Sequence, residues 1–563
     1  MNSNLTQYRT LVASFDLEEL DDTPVLFIAG KSIIVYRDET GFVKACYNRC
    51  KHRSGCFVPP SLNNKKEKPG VVNCANHGWK LDLAQMRYVD PLGKLYQPEL
   101  EVEFVPAFNG KTVLNLYENT EPHSWEIDPQ ERQTLVAGEF TARFYSHATV
   151  EINCGGPTLF TDPWLIGPSS TRGWWLTHQP PQDWLDHLAA ASGVYISHTH
   201  SDHLHLPTLC LLAARQPAIP IYYPDFRDRM GLRLLRKAGL TNITLCPFNR
   251  WHYLSRDARF MLLEDSTGKD DSGLLVEYKG HRLLNAVDAS AGLNHSILPR
   301  PVDMLLTSFA GGAGGHPVCW GEQYSEEQIV ARVNRNLKAE ARHAVLLTGQ
   351  TEPQVMVPFA GYFEVAHPAD AEIKRLNRKN KPEEVCRMVR EEYPEIQTWL
   401  PQPGETFDLA THQASSPVST KEEPPKYNFE SHLVEIRAAL DFAPLQTLEG
   451  IRHYFKWAGY KGDLVLQVIE TDESFKVPVR EFWLDFSSPG LLVNTRPERP
   501  HRYLRMKVRA EVFRFVLQNC LPWEEISVGF QARFYREPDI YSYEFWHHFQ
   551  FGLPAEPVDW QKI

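Results

Sequence analysis

The chain has 563 residues, 42% hydrophobic and 23% charged, which is ordinary for a globular protein and too long for a single core. With 59 basic against 70 acidic residues the net charge is −11. That argues against a duplex-binding protein, which needs a clustered basic excess, but not against an anionic small substrate in a local positive pocket. No apolar run approaches the ~18 residues of a membrane span. Residues 1–22 lack the basic segment and apolar core of a secretion signal, so a cytoplasmic protein is expected. Ten cysteines are too few for a disulfide scaffold, yet four of them fall between Cys46 and Cys74.

In chain order, residues 25–36 read as a strand, a Gly30-Lys31 turn and a second strand. Further strands are expected at 42–45, 71–73 and 102–104, making residues 1–118 an all-β domain. Within it stand Cys50-Lys51-His52 and Cys74-Ala75-Asn76-His77, with 21 residues between His52 and Cys74. Two thiolates and two imidazoles hold either a tetrahedral zinc ion or a Rieske [2Fe–2S] cluster, in which cysteines bind one iron and histidines the other. Zinc fingers pair Cys with Cys and His with His. Here each half supplies one of each, C-x-H then C-x-x-H, which is the Rieske order, so Cys50, His52, Cys74 and His77 are read as cluster ligands. The loop at Ser54-Gly55 supplies tight backbone for N–H donation to sulfide. Cys46 and Cys56 read as small buried residues. Residues 119–137, rich in Glu, Pro and Asp, form a linker.

From 138 to 410, strand-like runs (142–145, 158–160, 194–196, 260–263, 274–278, 304–307) alternate with helical ones (182–191, 206–214, 230–238, 325–338), an α/β pattern. The string Ser197–His203, S-H-T-H-S-D-H, directly follows the strand at 194–196. At a strand end, alternating His198 and His200 point the same way and share one metal ion. Asp202 and His203, expected at a helix start, face a neighbouring ion. The H-x-H-x-D-H string resembles the metallo-β-lactamase superfamily, which implies an αββα fold. The same architecture makes Asp288, ending L-L-N-A-V-D, a bridge between metals and His367 a late imidazole ligand. Asp162 in T-D-P-W reads as orienting loops or ligands. A further histidine is usual between the string and the bridging aspartate, with its natural place at 263–271, L-E-D-S-T-G-K-D-D, where there is none. Either Glu264, Asp265, Asp270 or Asp271 substitutes, or the centre holds a single metal; His252 and His281 lie off the expected strand end.

Residues 411–427, rich in Ser and Pro, read as a flexible linker. Residues 428–563 form a smaller α+β C-terminal domain, with a helix near 433–440 and a strand near 464–469. It faintly resembles the sterol-carrier-like domains appended to some metallo-β-lactamase enzymes.

A Rieske cluster moves one electron at a time, and a hydrolase has no use for it. A His/carboxylate site can hold iron, whose open positions bind O2. Together they read as a monooxygenase. No GxGxxG unit opens a helix after a strand, so electrons come from a separate carrier. Several stretches complete the picture: C-K-H (50–52), N-C-A-N-H-G-W-K-L-D (73–82), D-P-W-L-I-G-P (162–168), R-G-W-W-L (172–176), Y-I-S-H-T-H-S-D-H-L (195–204), V-E-Y-K-G-H (276–281) and P-F-A-G-Y-F (358–363). Through them the chain resembles the CMP-N-acetylneuraminate monooxygenase family over nearly its whole length. The resemblance implies hydroxylation of the N-acetyl methyl of CMP-N-acetylneuraminate to N-glycolyl, or of another amide or sugar nucleotide. It implies mono- or dinuclear iron in the second site, zinc being the alternative. Electrons would come from NADH through cytochrome b5 and its reductase, or from a ferredoxin system. Where the family carries a histidine in a D-G-V-H-like segment, this chain has Asp265-Ser266-Thr267-Gly268. Arg172 suits the phosphate or carboxylate of such a substrate, and Trp174 and Trp175 a base or sugar face. A homo-oligomer is compatible with the sequence; a nucleic-acid partner is not expected.

Two rival readings stand beside this one. The first is a metallo-β-lactamase-fold zinc hydrolase with a redox-regulatory Rieske module. The second is a non-catalytic electron carrier whose second site only supports the fold.

Overall fold

The computed structural model describes the chain except residues 1–7, 21–24, 29–32, 39, 49, 51–56, 59–69, 75–78, 91–95, 107–110, 121–129, 227–228, 266–269, 292, 294–297, 366, 417–428, 488–491, 494, 555 and 563. It divides into two compact units. Residues 1–129, with 264–269 and 291–299, form the first, and the remainder form the second.

The first unit is built of small antiparallel sheets. Tyr8–Asp16, Thr112–Thr120 and Glu101–Pro106 make one; Val25–Ile28, Ile33–Arg37 and Val43–Tyr47 a second; Phe57–Val58, Val71–Cys74, Lys80–Asp82 and Arg87–Asp90 a third. Alternate residues turn inward, so Ala13, Ile33, Val35, Val43, Ala45, Leu100, Leu114 and Leu116 form one apolar core. The N-terminal strand, which lacks a clear alternating signal, is held by its long pairing with Thr112–Thr120.

Two large mixed sheets of the second unit form a sandwich. One runs in the order Ile243–Cys246, Ile221–Pro224, Gly193–Tyr195, Thr158–Thr161, Thr149–Cys154, Phe140–Ser146, Thr406–Asp408, Gln413–Ala414. The other runs Trp251–Tyr253, Ala258–Glu264, Ser272–Tyr278, His281–Val287, Met304–Ser308, Val355–Phe359, Gln397–Thr398. They pack face to face: Phe144 meets Phe359, Phe140 meets Tyr278, Tyr222 meets Phe260, and the Tyr195 hydroxyl lies 2.7 Å from Ser272 Oγ. Ser272–Tyr278 is buried at every position, as expected of a strand covered on both sides. Helices Trp184–Ala190, Leu206–Arg215 and Met230–Lys237 join the apolar core on the first sheet, while Glu326–Thr351 and Pro382–Glu392 pack on the second. This is an αββα sandwich. The helix expected at 325–338 runs on to Thr351. A capping box of Ser325 and Gln328 starts it, and Glu352 in left-handed conformation ends it.

The C-terminal residues of this unit form a five-stranded sheet, ordered Leu492–Val493, Pro478–Asp485, Leu464–Thr471, Arg502–Arg509, Ala532–Glu537. Helices Phe429–Ala438, Leu448–Ala458, Ala510–Gln518 and Tyr543–Phe551 accompany it, and Tyr454, Phe455, Trp523, Phe545 and Phe549 pack as an aromatic core. This sheet shares one unit with the sandwich. Trp320 stacks on Phe534, and the Tyr324 hydroxyl donates to Asp539. Among the described residues, no helix is long and apolar enough to cross a membrane.

Candidate metal centres

In the first unit Cys50 and Cys74 are buried. Phe57 is the register partner of Cys74, so the strand after the first C-x-H segment pairs with the strand that carries the second segment's cysteine. The Cys74 amide donates to the Trp79 carbonyl at 2.7 Å, and the Tyr88 ring packs against Phe57 and Trp79. His52 and His77 lie outside the described residues.

In the sandwich, the fully buried interior strand Gly193–Tyr195 delivers the Ser197–His203 string to the carboxyl end of the strand. Asp162, at the end of the neighbouring strand, anchors it. Its carboxylate accepts from the Ser197 amide (2.7 Å) and hydroxyl (2.8 Å) and lies 2.9 Å from His203 Nδ1. The His200 carbonyl then accepts from the amides of His203 and Leu204, closing a turn. The helix begins only at Leu206, behind a His205 cap, so Asp202 and His203 occupy the turn before it rather than its first residues. The string's own turn takes up the hydrogen bonds a helix start would have used.

Two donor groups result, each with ligand atoms within 4.8 Å of one another: His198, His200 and Asp288, and His147, Asp202 and His203. His203 Nε2 lies 3.3 Å from Asp202 Oδ2 and 3.6 Å from Asp288 Oδ2, so Asp288 spans both groups. Asp288 is aimed by a register shift between Asn285 and Val287, with Val287 at φ +41°. His147 is a residue that the sequence patterns do not single out. It sits at φ +35° in the turn between Phe140–Ser146 and Thr149–Cys154, is buried, and brings Nε2 to 3.2 Å from Asp202 Oδ2. Its only signal in the sequence is a histidine in a tight strand–strand turn. Positive φ recurs around the site, at Asp162, Ser170, Thr171, Arg172 and Ala360. Such backbone costs about 1–3 kcal/mol per residue and persists where surrounding structure over-determines it.

The histidines are oriented from outside. His203 Nδ1 faces Asp162, and His198 Nδ1 lies 2.9 Å from Ser197 Oγ and 3.4 Å from Asp271 Oδ1. That leaves His198 Nε2 and His203 Nε2 facing the donor groups. His203 Nε2 and His147 Nδ1 are buried without a hydrogen-bond partner among the described residues. Such orphaned nitrogens, with four histidines, two carboxylates and no thiolate in the two groups, make a donor set fit for a first-row divalent metal.

The electrostatics agree. Burial opposes charge on His203, but Asp202, Asp162 and Asp288 hold it well above the usual histidine range. Burial likewise opposes ionisation of Asp202, yet His203 and His147 keep it well below the usual carboxylate range. His198 is driven well below its ordinary value by burial, then by His203 and His200. The carboxylates thus favour positive charge at this place, which a bound cation would also supply.

Of the substitutes weighed for the missing histidine, Asp271 stands behind His198 on its outer nitrogen, Asp270 is part-buried in the loop before it, and Glu264 and Asp265 belong to the first unit, where Asp265 bridges Leu293. His367 joins neither donor group: it caps a short 3-10 turn, where its Nδ1 accepts from the Ala369 amide at 3.1 Å, with Asp370 and Glu473 each 3.9 Å away. Arg172 and Trp174 are likewise committed. Arg172 is fully buried against Glu511 (2.5 Å), and Trp174 stacks on Phe363 with centroids 3.8 Å apart while donating to the Val528 carbonyl. Trp175, part-buried, donates to the Arg172 carbonyl. The loop packs into the C-terminal residues instead of presenting both groups to a ligand.

A family model for the Rieske [2Fe-2S] domain matches residues 10–93. The chain is 38% identical over 554 residues to the cytidine monophosphate-N-acetylneuraminic acid hydroxylase of Danio rerio, covering 95% of this chain and 91% of that protein. It is 37% identical over 556 residues to the protein of the same name from Asterias rubens, covering 94% and 84%. Among solved structures, the metallo-beta-lactamase fold protein YhfI from Bacillus subtilis is 12% identical, with a TM-score of 0.31 over 50% of this chain and 96% of that one. The αββα architecture stands on its own strand order rather than on that likeness.

Proposed function

This chain belongs to the cytidine monophosphate-N-acetylneuraminic acid hydroxylase family, and on that premise we propose that it is a Rieske monooxygenase that hydroxylates the N-acetyl methyl of CMP-N-acetylneuraminate. The carrying observation is the near-full-length match, which spans both the C-x-H/C-x-x-H domain and the H-x-H-x-D-H sandwich. In the overall reaction a methyl C–H becomes C–OH. The second atom of O2 leaves as water, on two electrons and two protons from outside. We assign the electrons to cytochrome b5 with its NADH-dependent reductase, or to a ferredoxin system, in the cytoplasm. The division into 1–118, 138–410 and 428–563 belongs to the same proposal.

Cys50, His52, Cys74 and His77 would hold the cluster. His198, His200 and Asp288, with His147, Asp202 and His203, would hold one or two irons. When bound, the cluster supplies single electrons and the iron site binds and reduces O2. The chain's own residues prepare that site. Asp162 keeps the proton of His203 on Nδ1, and Ser197 with Asp271 does so for His198, so the inner nitrogens stay available as donors. His147, His198 and His203 are buried, while the Asp288 side chain is 32% exposed, and we assign substrate entry to that side.

Incubation with CMP-N-acetylneuraminate, a reductant and labelled O2 tests this by mass analysis. A product carrying one labelled oxygen is expected. Cleavage of a substrate bond without O2 would instead establish the zinc hydrolase reading, and a label drawn from water would refute oxygenation.

A further inference from the structure

Three histidines of the Ser197–His203 string carry chemistry, and two of them have their outer nitrogen held by a carboxylate of the sandwich itself. The third does not. His200 Nδ1 lies 2.7 Å from His198 Nε2, on the donor side, and His200 Nε2 lies 3.3 Å from Glu524 Oε2. Glu524 opens the short helix Glu524–Val528, which lies 324 residues further along the chain, among the C-terminal residues. We infer that Glu524 is the positioning residue for His200: it accepts the Nε2 proton, fixes the ring's tautomer and leaves Nδ1 as the ligating nitrogen. The inference rests on the reading of His198, His200 and Asp288 as a metal donor group.

The helix is placed to do this. The next residue, Glu525, takes the Ser201 amide on Oε1 (3.0 Å) and the Ser201 hydroxyl on Oε2 (2.6 Å), gripping the loop between His200 and Asp202. Ser201 Oγ in turn accepts from the Ser170 amide at 2.7 Å, and Thr171 Oγ1 donates to the Glu525 carbonyl. Gly529, just past the helix, approaches so closely that an added Cβ would stand 2.0 Å from the Ser170 carbonyl oxygen. The helix therefore seats backbone to backbone against the loop that holds the string, and Glu524 is delivered to one ring nitrogen rather than to a general surface. Glu524 belongs to neither donor group, so its effect passes through His200. The C-terminal residues thus complete the metal site's outer support, a role that no spacing within the string reveals.

The test uses the full-length protein with its cluster intact and its second site emptied and titrated with Co2+ alone, in wild type, Glu524→Gln, Glu524→Ala and His200→Ala. Binding is read by equilibrium dialysis and the Co2+ ligand-field spectrum, and folding by the thermal melt of the metal-free form. We expect Glu524→Ala to weaken Co2+ roughly 10–100-fold, the range for losing an outer carboxylate partner, and to shift the ligand-field bands, with the metal-free melt unchanged. Glu524→Gln, whose carbonyl still accepts the Nε2 proton, should recover part of that affinity. Wild-type affinity and spectrum in Glu524→Ala, while His200→Ala loses Co2+, would overturn the inference alone. Equal affinity in Glu524→Gln and Glu524→Ala, or a loss matched by a fall in the metal-free melt, would also overturn it, since acceptance of the ring proton would then not be the cause. Failure of wild type to bind Co2+, or full binding by His200→Ala, would overturn both the donor group and the inference built on it.

Discussion

At the scale of single residues, His147, which no sequence pattern singles out, joins a donor group, while His367, which the resemblance offered as a ligand, joins neither. His147 stands in a strained turn with Nε2 against Asp202, while His367 is spent on a cap beside Arg172 and Arg509. We expect His147→Ala to lose the metal of its own donor group while His198, His200 and Asp288 still bind, read as a fall in metal per chain. His367 has a different consequence. Burial, then Arg509 and Arg172, push its pKa down from 6.5 to about 4. The folded value lies below the unfolded one, so the unfolded chain takes up the proton first as pH falls. The stability this group contributes is present above 6.5 and is lost as pH drops toward 4. Thermal melts at pH 7 and pH 5 should show a smaller acid-side loss in His367→Asn than in wild type; equal losses would show that another group sets the acid limit.

At the scale of elements, the site is a junction of turns rather than a product of one strand. The string leaves Gly193–Tyr195, Asp162 leaves Thr158–Thr161, His147 caps the first hairpin and Asp288 follows a bulged strand end. The helix Glu524–Val528 and the loop at 169–174 close on each other through glycines. Adding a methyl at Gly529 would meet the Ser170 carbonyl oxygen at 2.0 Å and the Glu525 carbonyl oxygen at 2.6 Å, both backbone atoms with little freedom to move. We expect Gly529→Ala to destabilise the second unit by about 1–3 kcal/mol, the usual cost of overpacking, and to lower second-site metal affinity as well. Chemical denaturation with the cluster's visible absorbance as an internal control checks this, since the first unit should keep its spectrum.

At the scale of the whole molecule, the Rieske match falls in the first compact unit and the two donor groups in the second. His77→Ala should bleach the cluster and stop hydroxylation while second-site metal is retained. Selective removal of that metal by a chelator should stop hydroxylation while the Rieske spectrum persists. Iron analysis beside the visible spectrum decides both. If removing the second-site metal left turnover intact, the sandwich would not be the oxygenating unit.

The order C-x-H then C-x-x-H, the H-x-H-x-D-H string and the alternation of strands with helices were legible because each is a local rule. Ligand halves on two loops, period-2 side chains at a strand end and apolar periodicity all act within a few residues. They gave the module types and their order and, with the resemblance, five of the six residues that the structure gathers into the two donor groups. His147, the outer role of Asp271, the diversion of His367 and the burial of Arg172 and Trp174 were decided by tertiary structure. Each depends on which distant segment supplies a charge or a packing surface: Asp202 for His147, Glu511 for Arg172, Phe363 for Trp174. A carboxylate 324 residues away along the chain can meet His200 Nε2 only after the C-terminal sheet has packed on the sandwich, and no rule of spacing carries that distance.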